Sequence, residues 1–299
     1  VELKRSLNNS IFSAISNMRV TGDIAELRTL ISVYKQAGKK VSFVPTMGAL
    51  HRGHLSLIRL AKQHSDVVVV SIYVNPKQFA PNEDFATYPS SLDQDLDFCK
   101  AEGVSLVFTP NTQVMYHQEL FFSIDIRELN THLDGASRQG YFQGIALVVN
   151  KLFNIVEPDI AIFGQKDYQQ FKVIEAMVRE FNHGLKLLMA PIERDHDGLA
   201  LSSRNAYLSP EERAKAPMLY KALETAQEAI GKGMENVTSL LENLQEELRM
   251  AGFRNDYFGV YSADRLQPVI RMEKDTEYVL AIAAYLGKAR LIDNIIVRK

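Results

Sequence analysis

The sequence predicts an α/β fold: a Rossmann-like, doubly wound parallel sheet with a smaller α+β C-terminal domain. Three observations predict it. Over the first two-thirds of the chain, short β-branched apolar runs alternate with segments of helical apolar spacing, the mark of βαβ units. The segments that carry Gly, His, Lys and Gln in unusual concentration fall just after those runs, where open α/β sheets bind ligands. The last third changes to helical stretches followed by three strand-like ones.

Taken in order, Val41-Ser42-Phe43-Val44 reads as a buried strand, and a helical pattern follows over 54–64. Val67 to Val74 is a continuous run rich in β-branched residues, as expected of an inner parallel strand. Further strands are predicted at 104–108 and 159–163, with helices over 91–102, 143–155 and 167–181. A boundary in the region 191–197 divides the chain into a nucleotide- and substrate-binding domain, 1–192, and a small lid domain, 193–299. In the second, Ser209 before Pro210 is a helix N-cap. Gly231-Lys232-Gly233 separates that helical stretch from a second over 236–250, and strands follow at 253–261, 277–286 and 290–297.

The most informative segment is Pro45-Thr46-Met47-Gly48-Ala49-Leu50-His51-Arg52-Gly53-His54. It lies where a strand turns into a helix. A helix start offers free N–H groups and the positive end of the dipole, a natural phosphate cradle. His51 and His54, at i and i+3, share one face of the first turn. Gly48 and Gly53 are expected to let phosphate approach the backbone. A second segment, Gly164-Gln165-Lys166-Asp167, follows the strand 159–163, and Lys166 is a point charge suited to phosphate. A third, Leu201-Ser202-Ser203-Arg204, puts two hydroxyls beside a guanidinium, a clamp for a polyphosphate. Gln78 and Gln170 are amides able to donate and accept toward a hydroxyl and a carboxylate together.

Composition excludes some classes. With 34 basic against 36 acidic side chains, no dedicated nucleic-acid surface is expected. No apolar run approaches a membrane span, and residues 1–20 lack the apolar core of a signal peptide. The single cysteine, Cys99, points to a reducing compartment. The chain reads as cytoplasmic.

The His-x-Gly-His string resembles the signature of the nucleotidyltransferase superfamily. The longer Pro-Thr-Met-Gly-x-Leu-His-x-Gly-His resembles the pantothenate synthetase (pantoate–β-alanine ligase) family. So do Val-Asn-Pro-x-Gln-Phe at 74–79, Phe-Gly-x-Lys-Asp-x-Gln-Gln at 163–170 and Asp-Gly-Leu-Ala-x-Ser-Ser-Arg-Asn at 197–205. The resemblance implies ATP, pantoate and β-alanine as substrates, an acyl adenylate intermediate, Mg²⁺ with the nucleotide, and a homodimer. It implies ATP contacts at Met47 to His54, at Gly164 to Asp167 and at Leu201 to Arg204. His54, His51, Lys166 and Arg204 become the catalytic set, Gln78, Gln170 and Arg138 the pantoate and β-alanine contacts, and Asp95 a metal contact. Relatives mostly carry Glu where Gln165 stands, His or Arg at Tyr141, and Arg at Ser90. Those departures keep open a nucleotide-binding module without catalysis, and the Gln78/Gln170 pair argues against a different nucleotidyltransferase.

Overall fold

The computed structural model describes residues 17–80, 83–117 and 119–299. The expectation for residues 1–20 falls, over 1–16, outside them. Six parallel strands form the first sheet: β1 (Arg19–Thr21), β2 (Val41–Thr46), β3 (Val67–Ile72), β4 (Leu106–Phe108), β5 (Ile160–Gly164) and β6 (Lys186–Ala190). Their order is β1-β4-β3-β2-β5-β6. The chain therefore runs outward from β2 through β3 and β4, then returns to place β5 on the other side of β2. That reversal is the switch point where a crevice opens at the carboxyl ends of the strands.

Helices cover both faces. Ile24–Gln36, Tyr141–Val156 and Tyr168–Glu180 bury Leu27, Ile31, Phe142, Phe153 and Ile174 with Phe43, Val69 and Phe108 of the sheet. Arg52–His64 and Leu92–Ala101 bury Ile58, Ala61 and Cys99 against Val44, Val70 and Ile162. The inner strands are buried on both sides, which is why they read as unbroken β-branched runs.

Three antiparallel strands, β7 (Arg254–Ser262), β8 (Glu277–Leu286) and β9 (Ala289–Arg298), make the second sheet in the order β7-β8-β9. Helices Met218–Gly231 and Thr238–Met250 pack on one face of it through Leu223, Ala226, Leu244 and Leu248. The helical stretch after Ser209 is broken in two, Pro210–Lys215 and Met218–Gly231. Pro217 lies between them, where a missing N–H and a fixed φ interrupt a helix.

Helix Ile24–Gln36 is not among the sequence-predicted elements. Its signal is present: Asp23 caps it by accepting from Glu26 N, and Leu27, Ile31 and Tyr34 form its buried stripe. Strands β1 and β6 are also additions; both are short edge strands with partly exposed residues. No helix among the described residues is long and apolar enough to cross a membrane.

The other face of the second sheet meets the first unit. Leu133 and Tyr168 pack there with Tyr261, Leu266, Val279 and Ala281. Beside that seam Arg290 of β9 donates to Asp134 at 2.6 Å and to Asp256 at 2.7 Å, and Tyr257 Oη donates to Asp134 at 3.0 Å.

Candidate active site

A cavity of about 210 Å³ opens at the ends of β2, β3 and β5. It is lined by Met47, His51, Gly53, His54, Gln78, Gly164, Lys166, Asp167, Gln170, Leu201, Ser202, Ser203 and Arg204. Segments far apart in sequence thus converge on one space. Its apolar wall is Ile145, Val148, Val149 and Leu152 from one side of helix Tyr141–Val156.

The histidine turn is built from its backbone outward. Gly48 has φ +84° and Ala49 φ +50°. This left-handed pair points the amides of Ala49 and Leu50 at one carboxylate, Asp95, at 2.9 and 2.7 Å. A Cβ at Gly48 would fall 2.8 Å from Asp95 Oδ2. Asp95 is 2% exposed, and burial, only partly offset by those two amides, pushes its pKa up. Asp95, expected as a metal contact, holds the turn through these two amides and is not among the residues that line the cavity. The glycine expectation changes too. Gly48 and Gly53 make room for protein groups, since a Cβ on Gly53 would sit 2.8 Å from His51 Cε1. Leu50 is core, and Arg52 points outward to Asp195 at 3.0 Å. Gly48, Ala49, Leu50 and Arg52 therefore support the cradle but do not line it.

His51 caps the helix Arg52–His64. Its Nδ1 accepts from Gly53 N at 3.1 Å, and His54 Nδ1 accepts from His51 N at 3.3 Å. With each Nδ1 an acceptor, each neutral ring carries its proton on Nε2. The ring centroids are 4.1 Å apart. Burial, then nearby Lys166, lowers His51 to about 4. Burial, then His51 and Lys166, lowers His54 to about 3. Near neutral pH the pair therefore presents two neutral imidazoles as N–H donors.

Gln78 sits in the turn after β3. Its Oε1 accepts from Asn75 Nδ2 at 3.1 Å, and Asn75 Nδ2 also donates to Gly144 O at 3.2 Å. The turn is thereby fastened to the helix that forms the apolar wall. Lys166 and Asp167 belong to the 3₁₀ turn Gln165–Asp167 after β5. A Cβ on Gly164 would meet nothing nearer than Leu57 at 4.0 Å, so backbone remains open to the cavity there. Gln165 turns away, toward Asn294 of β9 at 3.2 Å, and is not a wall of the cavity.

Ser202 caps the 3₁₀ helix Ser203–Tyr207 by accepting from Arg204 N, and Ser203 Oγ donates to Ala49 O at 3.2 Å. Arg204 reaches the cavity with Nε and Nη2 already donating to Asp84 at 3.0 and 2.9 Å. Burial opposes ionisation of Asp84, but Arg204 outweighs it and holds the carboxyl below its usual range. Arg138, expected to contact pantoate or β-alanine, does not line the central cavity. It forks onto Glu83 at 2.6 and 2.7 Å, lies 3.4 Å over the Tyr141 ring, and faces an adjoining cavity. Tyr73 and Tyr88 line the central cavity although nothing singles them out in the sequence, and Asn75 of the 74–79 string joins them. Asp195, His196 and Asp197 cluster elsewhere, with both carboxylates on Arg213.

A parallel sheet with its crevice at the switch point, a histidine pair on a helix start, and Lys and Ser-Ser-Arg segments across from it define a nucleotide-using α/β enzyme. A family model described as pantoate-beta-alanine ligase matches residues 19–296. The chain belongs to the pantoate-beta-alanine ligase family. A pantothenate synthetase of Thermoanaerobacter sp. (strain X514) is 45% identical over 280 residues, 93% of this chain and 98% of the relative. One from Pseudomonas putida is also 45% identical, over 93% of this chain and 97% of its own length. Among solved structures, pantothenate synthetase from Thermus thermophilus superposes with a TM-score of 0.87 at 41% identity, covering 94% of this chain and all of that one. The Francisella tularensis pantoate-beta-alanine ligase, complexed with beta-gamma ATP and beta-alanine, gives 0.79 at 35% identity, over 93% and 97% of the two chains.

Proposed function

We propose that this enzyme condenses pantoate with β-alanine at the expense of ATP, giving pantothenate, AMP and pyrophosphate through a pantoyl adenylate. The observation that carries the reading is the single cavity in which the two histidines, Lys166 and the Ser202–Arg204 segment face Gln78, Gln170 and an apolar wall. A polyanion and a small hydroxy acid have complementary partners side by side.

The chemistry follows from charge. The pantoate carboxylate attacks the α-phosphate, and charge builds on that phosphate and on the departing pyrophosphate. Nε2–H donors of His51 and His54, which both line the cavity, stabilise the first. Lys166, Ser202, Ser203 and Arg204 stabilise the leaving group. Arg204 exchanges its bond to Asp84 for phosphate as the segment closes. The amine of β-alanine then attacks the acyl carbon, and AMP leaves.

Mg²⁺ with ATP, a cytoplasmic location and a homodimer belong to the same proposal. Among described residues the carboxylates that line the cavity are Asp167 and Glu193. Asp167, beside Lys166 at 3.8 Å, is the lining carboxylate that would hold the ion. The ion would neutralise phosphate charge.

The test is incubation with ATP, pantoate and β-alanine. Stoichiometric AMP and pantothenate are expected. Turnover of ATP that is indifferent to pantoate would contradict the assignment.

A further inference from the structure

The 3₁₀ turn Gln165–Asp167 carries Lys166 into the cavity, yet no side chain of its own caps it. Neither the turn nor the helix Tyr168–Glu180 that follows has a side-chain cap bond. What fixes the turn comes from the other sheet. Asn294, in β9 and 3% exposed, donates from Nδ2 to Gln165 O and to Lys166 O, both at 3.0 Å. Its Oδ1 accepts from Gln165 Nε2 at 3.2 Å. Both amide protons and the amide oxygen are used, so the side chain has one orientation.

The residue before it holds a second segment. Asp293, 4% exposed, accepts from Arg194 Nη1 at 2.5 Å and Nη2 at 2.9 Å. Arg194 Nη1 also donates to Gly198 O at 3.0 Å, and its guanidinium lies 3.6 Å over the Tyr220 ring. Asp293 further accepts from Asn294 N at 2.7 Å. Adjacent residues of one strand thus grip the Lys166 turn and the base of the segment that leads to Ser202, Ser203 and Arg204.

We propose that Asn294 is a positioning residue for Lys166: through the two carbonyls of the turn it sets where the ammonium stands in the cavity. The inference rests on the reading of Lys166 as a phosphate ligand. It also gives Gln165 a role. Gln165 completes the amide pair with Asn294, which a carboxylate at that position would not do, because it has no proton to give Asn294 Oδ1.

A double-mutant cycle tests this, read as pyrophosphate exchange into ATP in the presence of pantoate. Asn294→Ala should lower turnover about 10- to 100-fold, the scale of a small misplacement of a reacting group. The KM for pantoate should stay within about twofold, because Gln78 is held by Asn75 in the turn after β3, apart from the bonds Asn294 makes. In a Lys166→Ala background the same substitution should add less than about twofold, since the two act as one unit. Asn294→Asp keeps the size and loses the donors to the carbonyls; it should reproduce the selective loss and serves if the alanine variant does not fold. Losses that multiply in the double variant would overturn the proposal, as would a parallel rise in pantoate KM. Full turnover in Lys166→Ala alone would remove the phosphate role of Lys166, and the positioning role with it. The single lysine variant therefore separates failure of the site reading from failure of this one.

Discussion

At the scale of single residues, His54 carries the sharpest consequence. A neutral imidazole whose Nδ1 is tied to His51 N can only donate from Nε2. Removing one such donor costs about 10²–10³ in rate where it acts on the transition state. The same ring makes the fold sensitive to acid. His51 and His54 titrate at about 4 and about 3 in the folded chain, against an ordinary 6.5. Between those limits the unfolded chain binds more protons, so stability rises with pH through the window and is lost as pH falls from 6.5. His54→Ala should therefore show both a fall in turnover of that size and a shallower loss of Tm between about pH 7 and about pH 4. Thermal scans with parallel rate measurements check it. An unchanged acid profile would mean that the ring is not held neutral by the fold. The histidine pair is legible in the sequence because its type, spacing and strand–helix context coincide. Its charge state is not, because burial and Lys166 set it, and both depend on residues far along the chain.

At the scale of elements, the strand–turn–helix of residues 41–64 depends on Asp95 of a different helix. Ala49 at φ +50° is strained for a residue with a Cβ, and the carboxylate that accepts from Ala49 N and Leu50 N stabilises the turn. Asp95→Ala orphans one buried amide, that of Leu50, and one partly buried amide, that of Ala49; an unsatisfied buried amide costs about 1–3 kcal/mol. The substitution should lower stability by an amount of that order and depress activity, while the magnesium concentration for half-maximal rate stays where it is. Denaturant unfolding and a magnesium titration separate the effects. A large shift in that concentration would restore Asp95 as a metal contact. The metal reading comes from the family resemblance, and the sequence does not distinguish it, because a carboxylate looks the same whether it faces an ion or two amides. Long periodic helices and inner strands are readable for the opposite reason: their pattern is repeated over many residues. Edge strands β1 and β6, with three and five residues, repeat too little.

At the scale of the whole molecule, two sheets share one site. The convergence of segments 47–54, 164–170 and 201–204 follows from a strand order that no local pattern contains. The contribution of β9 is invisible in the sequence for the same reason. Asn294 and Arg290 look like ordinary strand polar residues, and only the packing of β9 against residues 134 and 165–166 gives them partners. The seam of Leu133, Tyr168, Tyr261 and Val279 holds the second sheet against the first unit, where β9 braces the turn that carries Lys166. In the proposed reaction this site activates pantoate by attack at the α-phosphate before the amine is needed. The most direct measurement is exchange of labelled pyrophosphate into ATP with pantoate present and β-alanine absent. Exchange should occur and should depend on pantoate. Absence of exchange in a preparation that still makes pantothenate, with ADP accumulating in place of AMP, would contradict it.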